Sequence, residues 1–388
     1  MKTRIAVVTG TRAEYGLLAP LIGALRAEES FEPVILVTGM HLSPEFGLSY
    51  REIEADGFPI AEKIEILLSS DTTVGIGKSM GLAMMGFAEA FARQNPDLVL
   101  LLGDRFETFA AAAAAAVSGV PIVHLHGGEL SLGSIDDAFR HCITKLSHLH
   151  FTATEEYRRR VIQLGEAPET VHAVGSIGVE SLKKMRLRGR TDLEDELKVR
   201  FGSRNVLVTF HPVTTARGSS AEQMRELLAA LDSLDACLAL FTNANADAEG
   251  REINRAIEEY TRTHAGRAAV FNDLGRVRYL SIMKLCDAVI GNSSSGIIEA
   301  PTLGVPTVNI GERQQGRVRA PSVIDCQPDR QSIGRAIEKA LSADFRAFAR
   351  SVKNPYDGGE SVAAIVSVLK ASHSISVRKS FYSLPVEV

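Results

Sequence analysis

The sequence predicts an α/β protein made of two doubly wound parallel sheets, each covered by helices, the two domains facing a cleft. Three observations carry this reading. Short continuous runs of Val, Ile and Leu alternate with longer amphipathic stretches almost from end to end, as a parallel sheet buried on both faces requires. The alternation stops at a charged, core-poor stretch over 186–200, R-L-R-G-R-T-D-L-E-D-E-L-K-V-R, and then restarts. The length of 388 residues, with 45% apolar and 23% charged, suits two full cores and excludes a disordered or fibrous chain.

Taken in order, the first domain (1–175) has expected strands at 5–9, 34–38, 98–102 and 120–125, with helices at 16–28, 75–94 and from 107. The second (176–388) has expected strands at 206–210, 238–241, 269–271, 288–291 and 307–310. Its helices are expected at 222–231, 249–263, 277–286 and from 296. A last helix, about 360–372, is placed to pack back on the first domain, and a polar tail follows over 371–388. The 32 glycines and the absence of Trp fit tight strand-to-helix turns better than an aromatic-rich binding module.

Charge and cysteines narrow the class. Forty-three Lys plus Arg against 47 Asp plus Glu leave −4, which argues against a nucleic-acid partner. Cys142, Cys237, Cys286 and Cys326 are scattered, so they read as small hydrophobes in a reducing compartment rather than as a disulfide or zinc framework. The N-terminal apolar run is too short for a secretory signal, and no stretch is long enough to span a bilayer. The expected location is cytoplasmic, with no membrane partner.

In doubly wound sheets, function sits where strands end and helices begin. T-G-T-R-A-E-Y-G (9–16) puts Arg12 at the first such junction, where an anion site and a solvated arginine in a glycine turn fit equally. It lacks G-x-G-x-x-G, so the dinucleotide fingerprint is missing there. G-I-G-K-S-M-G (75–81) completes no phosphate motif and reads as a helix start. L-G-D-R-F-E (102–107) sets Asp104 and Arg105 at the lip of an apolar strand, as site residues or as a strand-end ion pair.

V-H-L-H-G-G-E-L (123–130) places His124 and His126 on one strand face by the period of two, with Gly127 and Gly128 turning the chain before Glu129. A third metal ligand is not evident, and histidines hydrogen-bonded beneath the cleft fit better. Asp136 and Arg140 share a face of the next helix, as do Asp137 and His141. Asp104, Glu129 and the Asp136–Asp137 pair all arise from consecutive lips of one sheet, where carboxylates can divide acid and base work.

In the second half, V-T-F-H-P-V-T-T (208–215) sets His211 at a strand end. I-G-N-S-S-S-G-I-I-E-A-P (290–301) brings Asn292, Ser293, Ser294, Ser295 and Gly296 to a helix start, an anion cradle or a Ser-rich cap. Glu299, expected one turn into that helix, is placed to accept ribose hydroxyls. Arg313, Arg317 and Arg319 follow the next strand. The combination suggests a nucleotide sugar, its diphosphate held by the second domain and proton chemistry supplied by the first, with no cofactor or metal required.

These motifs, together with T-G-M-H-L-S-P-E-F-G (38–47), I-D-D-A-F-R-H and R-Q-Q-G-R, resemble those of the hydrolysing UDP-N-acetylglucosamine 2-epimerases, in order from residue 4 to about 370. That family includes bacterial sialic-acid pathway enzymes and the epimerase domain of the bifunctional animal enzyme. The resemblance implies two Rossmann-like domains of the GT-B type. It also implies that UDP-GlcNAc and water give ManNAc and UDP, through a 2-acetamidoglucal and its hydration on the other face. Asp104, Glu129 and Asp136 or Asp137 match the family's acidic positions, and His211 its His-Pro motif. Arg12, Ser293, Ser294, Glu299 and Arg313 match UDP-contacting positions, and a homodimer or homotetramer is implied. Members acting on UDP-N,N'-diacetylbacillosamine, on the legionaminic acid route, share T-G-M-H-L-S-P-E-F-G and L-L-S-S-D-T-T (67–73), so both substrates stay open. A GT-B glycosyltransferase would share the UDP cradle, a nucleotide-sugar sensor would not need Glu129 beside Asp104, and a metal hydrolase would use His124 and His126.

Overall fold

The first sheet has seven parallel strands: β1 (Thr3–Thr9), β2 (Phe31–Thr38), β3 (Ile60–Ile64), β4 (Leu98–Leu102), β5 (Ile122–Leu125), β6 (Leu149–Thr152) and β7 (Val171–Ala173). Their spatial order is β3-β2-β1-β4-β5-β6-β7. The second sheet has six: β8 (Arg204–Thr209), β9 (Cys237–Thr242), β10 (Ala268–Phe271), β11 (Ala288–Gly291), β12 (Thr307–Ile310) and β13 (Val323–Cys326), ordered β10-β9-β8-β11-β12-β13. Strand order reverses between β1 and β4 in one sheet and between β8 and β11 in the other, the positions where flanking helices part and leave a lip for ligands. The computed structural model describes every residue except 1, 69, 71, 133–134, 213–219, 235, 245–249, 273, 373–374 and 385–388.

Two compact units follow from this. One comprises Met1–Glu129, Ile135–Ser181 and Gly358–Val388; the other Leu130–Ser134 and Leu182–Asp357. The division therefore falls after Ser181 rather than after 175, and the chain returns to the first unit at Gly358. The charged stretch over 186–200 supplies the helix Arg190–Leu197, anchored by buried Leu193. Among the described residues, no helix is long and apolar enough to cross a membrane.

Each sheet is buried on both faces, as the continuous apolar runs demand. In the first, Ile5 and Val7 of β1 join one core with Leu100 of β4, while Ala6 and Val8 join the opposite core with Val99 and Leu101. The Ala-rich helix Phe106–Val117 lies in that opposite core through Ala110, Ala111, Ala114 and Ala115; Met85 of the helix Thr73–Gln94 is 63% exposed. The last helix, Ser361–Ala371, adds Ile365, Val366 and Leu369 to the first core beside Leu18 and Leu21. Glu180 Oε2 accepts from Val362 N at 2.7 Å and fixes that helix's start. The tail beyond it is docked: Lys379 Nζ donates to Glu166 at 2.7 Å, and Tyr382 N to Gly165 O at 2.9 Å.

Several elements differ from expectation. The first helix begins at Arg12, not 16, because the Thr11 hydroxyl accepts from Glu14 N and caps it. Strands β3, β6, β7 and β13 carry no long apolar run, and β6 reads L-H-F-T with His150 fully buried. Thr72 caps the helix that opens G-I-G-K-S-M-G, so that segment is a helix start.

The lip of the second sheet depends on Gly291. Its φ is +135°, and a β-carbon there would stand 1.9 Å from the Thr209 carbonyl oxygen. Gly291→Ala is expected to cost about 2–4 kcal/mol through backbone displacement, measured by urea unfolding. A change below about 0.5 kcal/mol would contradict this close approach.

Candidate active site

At the β1–β4 reversal the structure assembles more charge than the motifs announced. Gly103, with φ +80°, turns β4 outward, and Asp104 follows. Asp104 accepts a short hydrogen bond from Arg140, which lies buried on the helix Ile135–Leu146. Arg140 thus serves a carboxylate from another element. Asp137 pairs with His141 at 3.5 Å, whereas the charge of Asp136 acts on Arg105.

Beneath them lies a carboxylate that the sequence reading passed over. Glu107 is 1% exposed, and its Oε1 accepts from Arg105 Nε at 2.6 Å. A β-carbon on Gly10 would come within 2.8 Å of Glu107 Oε1, so the glycine admits the carboxylate against the β1 turn. Glu14 Oε2 accepts from Gly10 N at 2.7 Å. Burial, then the charge of Glu107, pushes the Glu14 carboxyl up to about 7, while Arg105 opposes that shift. The signal for Glu14 was present: T-R-A-E is a capping-box spacing, although its carboxylate reaches Gly10 rather than the cap residue itself. Arg12 is the first residue of its helix and pairs with Glu52 at 2.9 Å.

Histidines brace this lip. His124 is fully buried; its Nε2 lies 2.8 Å from the Gly103 carbonyl and its Nδ1 3.2 Å from the Thr144 hydroxyl. A carbonyl only accepts, so Nε2 carries the proton, and burial pushes the imidazole down to about 3. Both ring nitrogens are thus engaged. His126 does not share its strand face, because β5 ends at Leu125 and His126 turns to φ +65°. Its Nδ1 lies 2.9 Å from Oε1 of buried Glu129. His41 is a further brace, bridging the hydroxyls of Thr9 at 3.0 Å and Ser49 at 2.8 Å.

At the β8–β11 reversal, Asn292 is the hub. His211 N donates to its Oδ1 at 2.8 Å, and its Nδ2 donates to His211 O at 2.9 Å, tying the two strand ends together. Its carbonyl accepts from Arg313 at 3.0 Å and from Gln314 at 2.9 Å. Burial, and then the charge of Arg313, pushes His211 down to about 3. Ser293 caps the helix Ser294–Ile298 by accepting from Ser295 N. That helix is shorter than expected: Pro301 interrupts the pattern, and Glu299 caps the helix's end, 3.7 Å from Arg276. A β-carbon on Gly296 would meet Thr307 Cγ2 at 2.7 Å, so this glycine serves helix-to-strand packing. The Tyr279 hydroxyl lies 3.5 Å from the Thr209 hydroxyl at the end of β8, a contact no sequence signal foretold. Arg319 pairs with Asp325, and Arg317 donates to Ser131. The part of V-T-F-H-P-V-T-T over 213–215 lies outside the described residues.

Two doubly wound sheets, one ending in a carboxylate-and-arginine lip and the other in a Ser-Ser-Ser-Gly turn beside arginine, define an α/β enzyme of the GT-B type. The chain belongs to the UDP-N-acetylglucosamine 2-epimerase family, in its hydrolysing branch, and the family's pattern matches residues 23–370. It is 42% identical over 345 residues, 89% of each chain, to a Campylobacter jejuni protein named GDP/UDP-N,N'-diacetylbacillosamine 2-epimerase (hydrolyzing). It is 36% identical over 388 residues, 98% of each chain, to the Escherichia coli polysialic acid biosynthesis protein P7. In fold it is similar to a Neisseria meningitidis UDP-GlcNAc 2-epimerase solved with UDP-GlcNAc, with TM-score 0.81, 17% identity, and 95% of this chain and 100% of that one covered.

The raised Glu14 carboxyl has a defined pH signature. The folded state holds this proton more tightly than the unfolded chain, whose carboxyl ionises near 4.5. Its contribution to stability is full below that value and lost as pH rises through about 7. Glu14→Gln cannot ionise, so the wild type should lose melting temperature relative to E14Q between about pH 5 and 8. A gap that stays constant, or runs the other way, would refute the raised carboxyl.

Proposed function

We propose that the protein is a hydrolysing UDP-GlcNAc 2-epimerase that converts UDP-GlcNAc and water to ManNAc and UDP. The observation that carries the reading is the lip at β4, where Asp104 meets Arg140 and Asp136 acts on Arg105, in a chain of this family. In the elimination half, Asp104 or Glu129 removes the C2 proton while the bond from C1 to the diphosphate oxygen breaks. UDP leaves with that electron pair, and a C1–C2 double bond remains. In the hydration half, Asp136 or Glu129 delivers a proton to C2 from the opposite face, water adds its oxygen at C1, and the proton that water sheds passes to a carboxylate of the lip. Divided carboxylates of this kind suit both halves, since one group must accept a proton where another gives one.

The second lip is assigned the leaving group. Ser293, Ser294 and the backbone N–H groups at their turn suit a diphosphate, Arg313 opposes its charge, and Glu299 suits the ribose hydroxyls. Burial keeps His211 uncharged in the free protein, and its side chain is assigned to stabilise the leaving diphosphate together with Arg313. Product release would feed nonulosonic acid synthesis, which the name of the Escherichia coli relative supports.

A second reading keeps the chemistry and changes the sugar to UDP-N,N'-diacetylbacillosamine, as the name of the Campylobacter relative favours. The two substrates differ at C4 and C6, away from the reacting carbons. Two residues of the 67–73 segment, 69 and 71, lie outside the described residues.

Incubation with each UDP-sugar in D₂O tests both readings. Free UDP and a C2-epimerised sugar carrying deuterium at C2 are expected, and the faster substrate identifies the sugar. Intact UDP-sugar with both substrates, or product that keeps its C2 hydrogen, would overturn the function. Asp104→Asn and Glu129→Gln should each lower kcat by about 10²–10⁴ while UDP still binds. Near-normal turnover in both would remove these residues from the proton transfers.

A further inference from the structure

We propose that His126 is the positioning residue of Glu129: its Nδ1–H fixes the carboxylate, and the H-G-G-E turn is shaped to bring the two together. The inference rests on the reading above and deepens it. It starts from strain. His126 holds φ at +65°, in the left-handed region that a β-carbon disfavours and glycine accepts freely. Two glycines follow it directly, so the turn had glycine at hand and still places an imidazole at the strained position.

The rest of the turn leaves little freedom. A β-carbon on Gly127 would lie 3.1 Å from His124 Nδ1, and one on Gly128, whose φ is +77°, would lie 2.4 Å from the Tyr157 carbonyl oxygen. The turn is tied at both ends. His126 N donates to Phe151 O of β6 at 2.8 Å, and Arg160 donates to Gly128 O at 2.6 Å. With the chain folded back so tightly, residues three apart meet, and Nδ1 stands 2.9 Å from Glu129 Oε1.

The chemistry of that contact has one direction. A carboxylate only accepts, so Nδ1 carries the proton and donates it. The other nitrogen, Nε2, is buried and has no hydrogen-bond partner among the described residues, so the carboxylate orients the ring, and the ring's Nδ1–H in turn constrains Oε1 of the carboxylate. A base held in place this way spends no reorganisation when it takes a proton, whereas a freed carboxylate must be brought back at each turnover. Strain at the strand end is thus exchanged for a fixed Glu129.

The test separates a donor at that position from mere bulk. Asn, Asp and Gly all accept the left-handed backbone, and an Asn side-chain N–H sits where Nδ1 sits. Asp has the same shape as Asn without the donor. We expect His126→Gly and His126→Asp to lower kcat by about 10²-fold with KM within about threefold, and His126→Asn to recover most of that loss. Free imidazole added to H126G should also restore rate. Melting temperature and UDP affinity establish that each variant is folded. Should H126G not fold, the comparison of H126N with H126D decides alone. Equal rates for H126N and H126D, or wild-type kcat in H126G, would overturn the assignment while leaving the reaction intact. A wild-type protein that releases no UDP from either sugar would overturn the reaction and this inference with it.

Discussion

Glu107 is the constraint around which the first lip is organised. A carboxylate this deeply buried carries a desolvation cost of several kcal/mol unless a cation and hydrogen bonds answer it. Arg105 answers one oxygen, Oε1, at 2.6 Å, and is thereby held beside the end of β4, while Oε2 has no hydrogen-bond partner among the described residues. The same carboxylate requires glycine at position 10, because no β-carbon fits against it. Gly10 in turn presents its N–H to Glu14, and burial, with the charge of Glu107 added to it, makes that second carboxyl hard to ionise. One buried carboxylate thus accounts for the glycine of the β1 turn and the fixed arginine, and adds to the burial that raises Glu14.

The second lip solves the same geometric problem without a buried carboxylate. There the strand ends are joined by a neutral amide, Asn292, which gives and accepts one hydrogen bond each with the backbone of His211. An amide carries a donor and an acceptor on one side chain and does not ionise. Its carbonyl then gathers Arg313 and Gln314. Arginines gather at this lip, whereas the other sets carboxylates against Arg105 and Arg140, a grouping that the net charge of −4 conceals.

What the sequence made legible follows from what is local. The central strands were readable because burial on both faces demands continuous apolar runs, as L-V-L-L-L of β4 shows. Strand β6 was not, since its His150 is buried beside Glu166 and no short-range pattern encodes that pairing. Asp104, Glu129, His211 and Asn292 were findable as residues at strand ends. Their partners were not, because Arg140 reaches Asp104 across 36 residues of chain while the i,i+4 rule pointed it at Asp136. Glu299 lies at its helix's end rather than one turn inside it for a local reason, the proline two residues on. Tyr279 reaches Thr209 from a helix, and nothing in its neighbourhood marks it.

The histidines show why a dry lip can be rigid without being highly charged. His41 and His124 each join two elements, the first at the end of β1 and the second at the end of β4. Lysine or arginine in those places would bring a charge into the core and demand a carboxylate for each. A neutral imidazole donates from one nitrogen and accepts at the other, so it can bridge a carbonyl and a hydroxyl with no ionic cost. Burial itself enforces that neutrality, pushing His41 down to about 4 and His124 to about 3. The two central strands of the first sheet can therefore be pinned by histidines while the charges near them, on Asp104, Arg105 and Arg140, stay reserved for the lip.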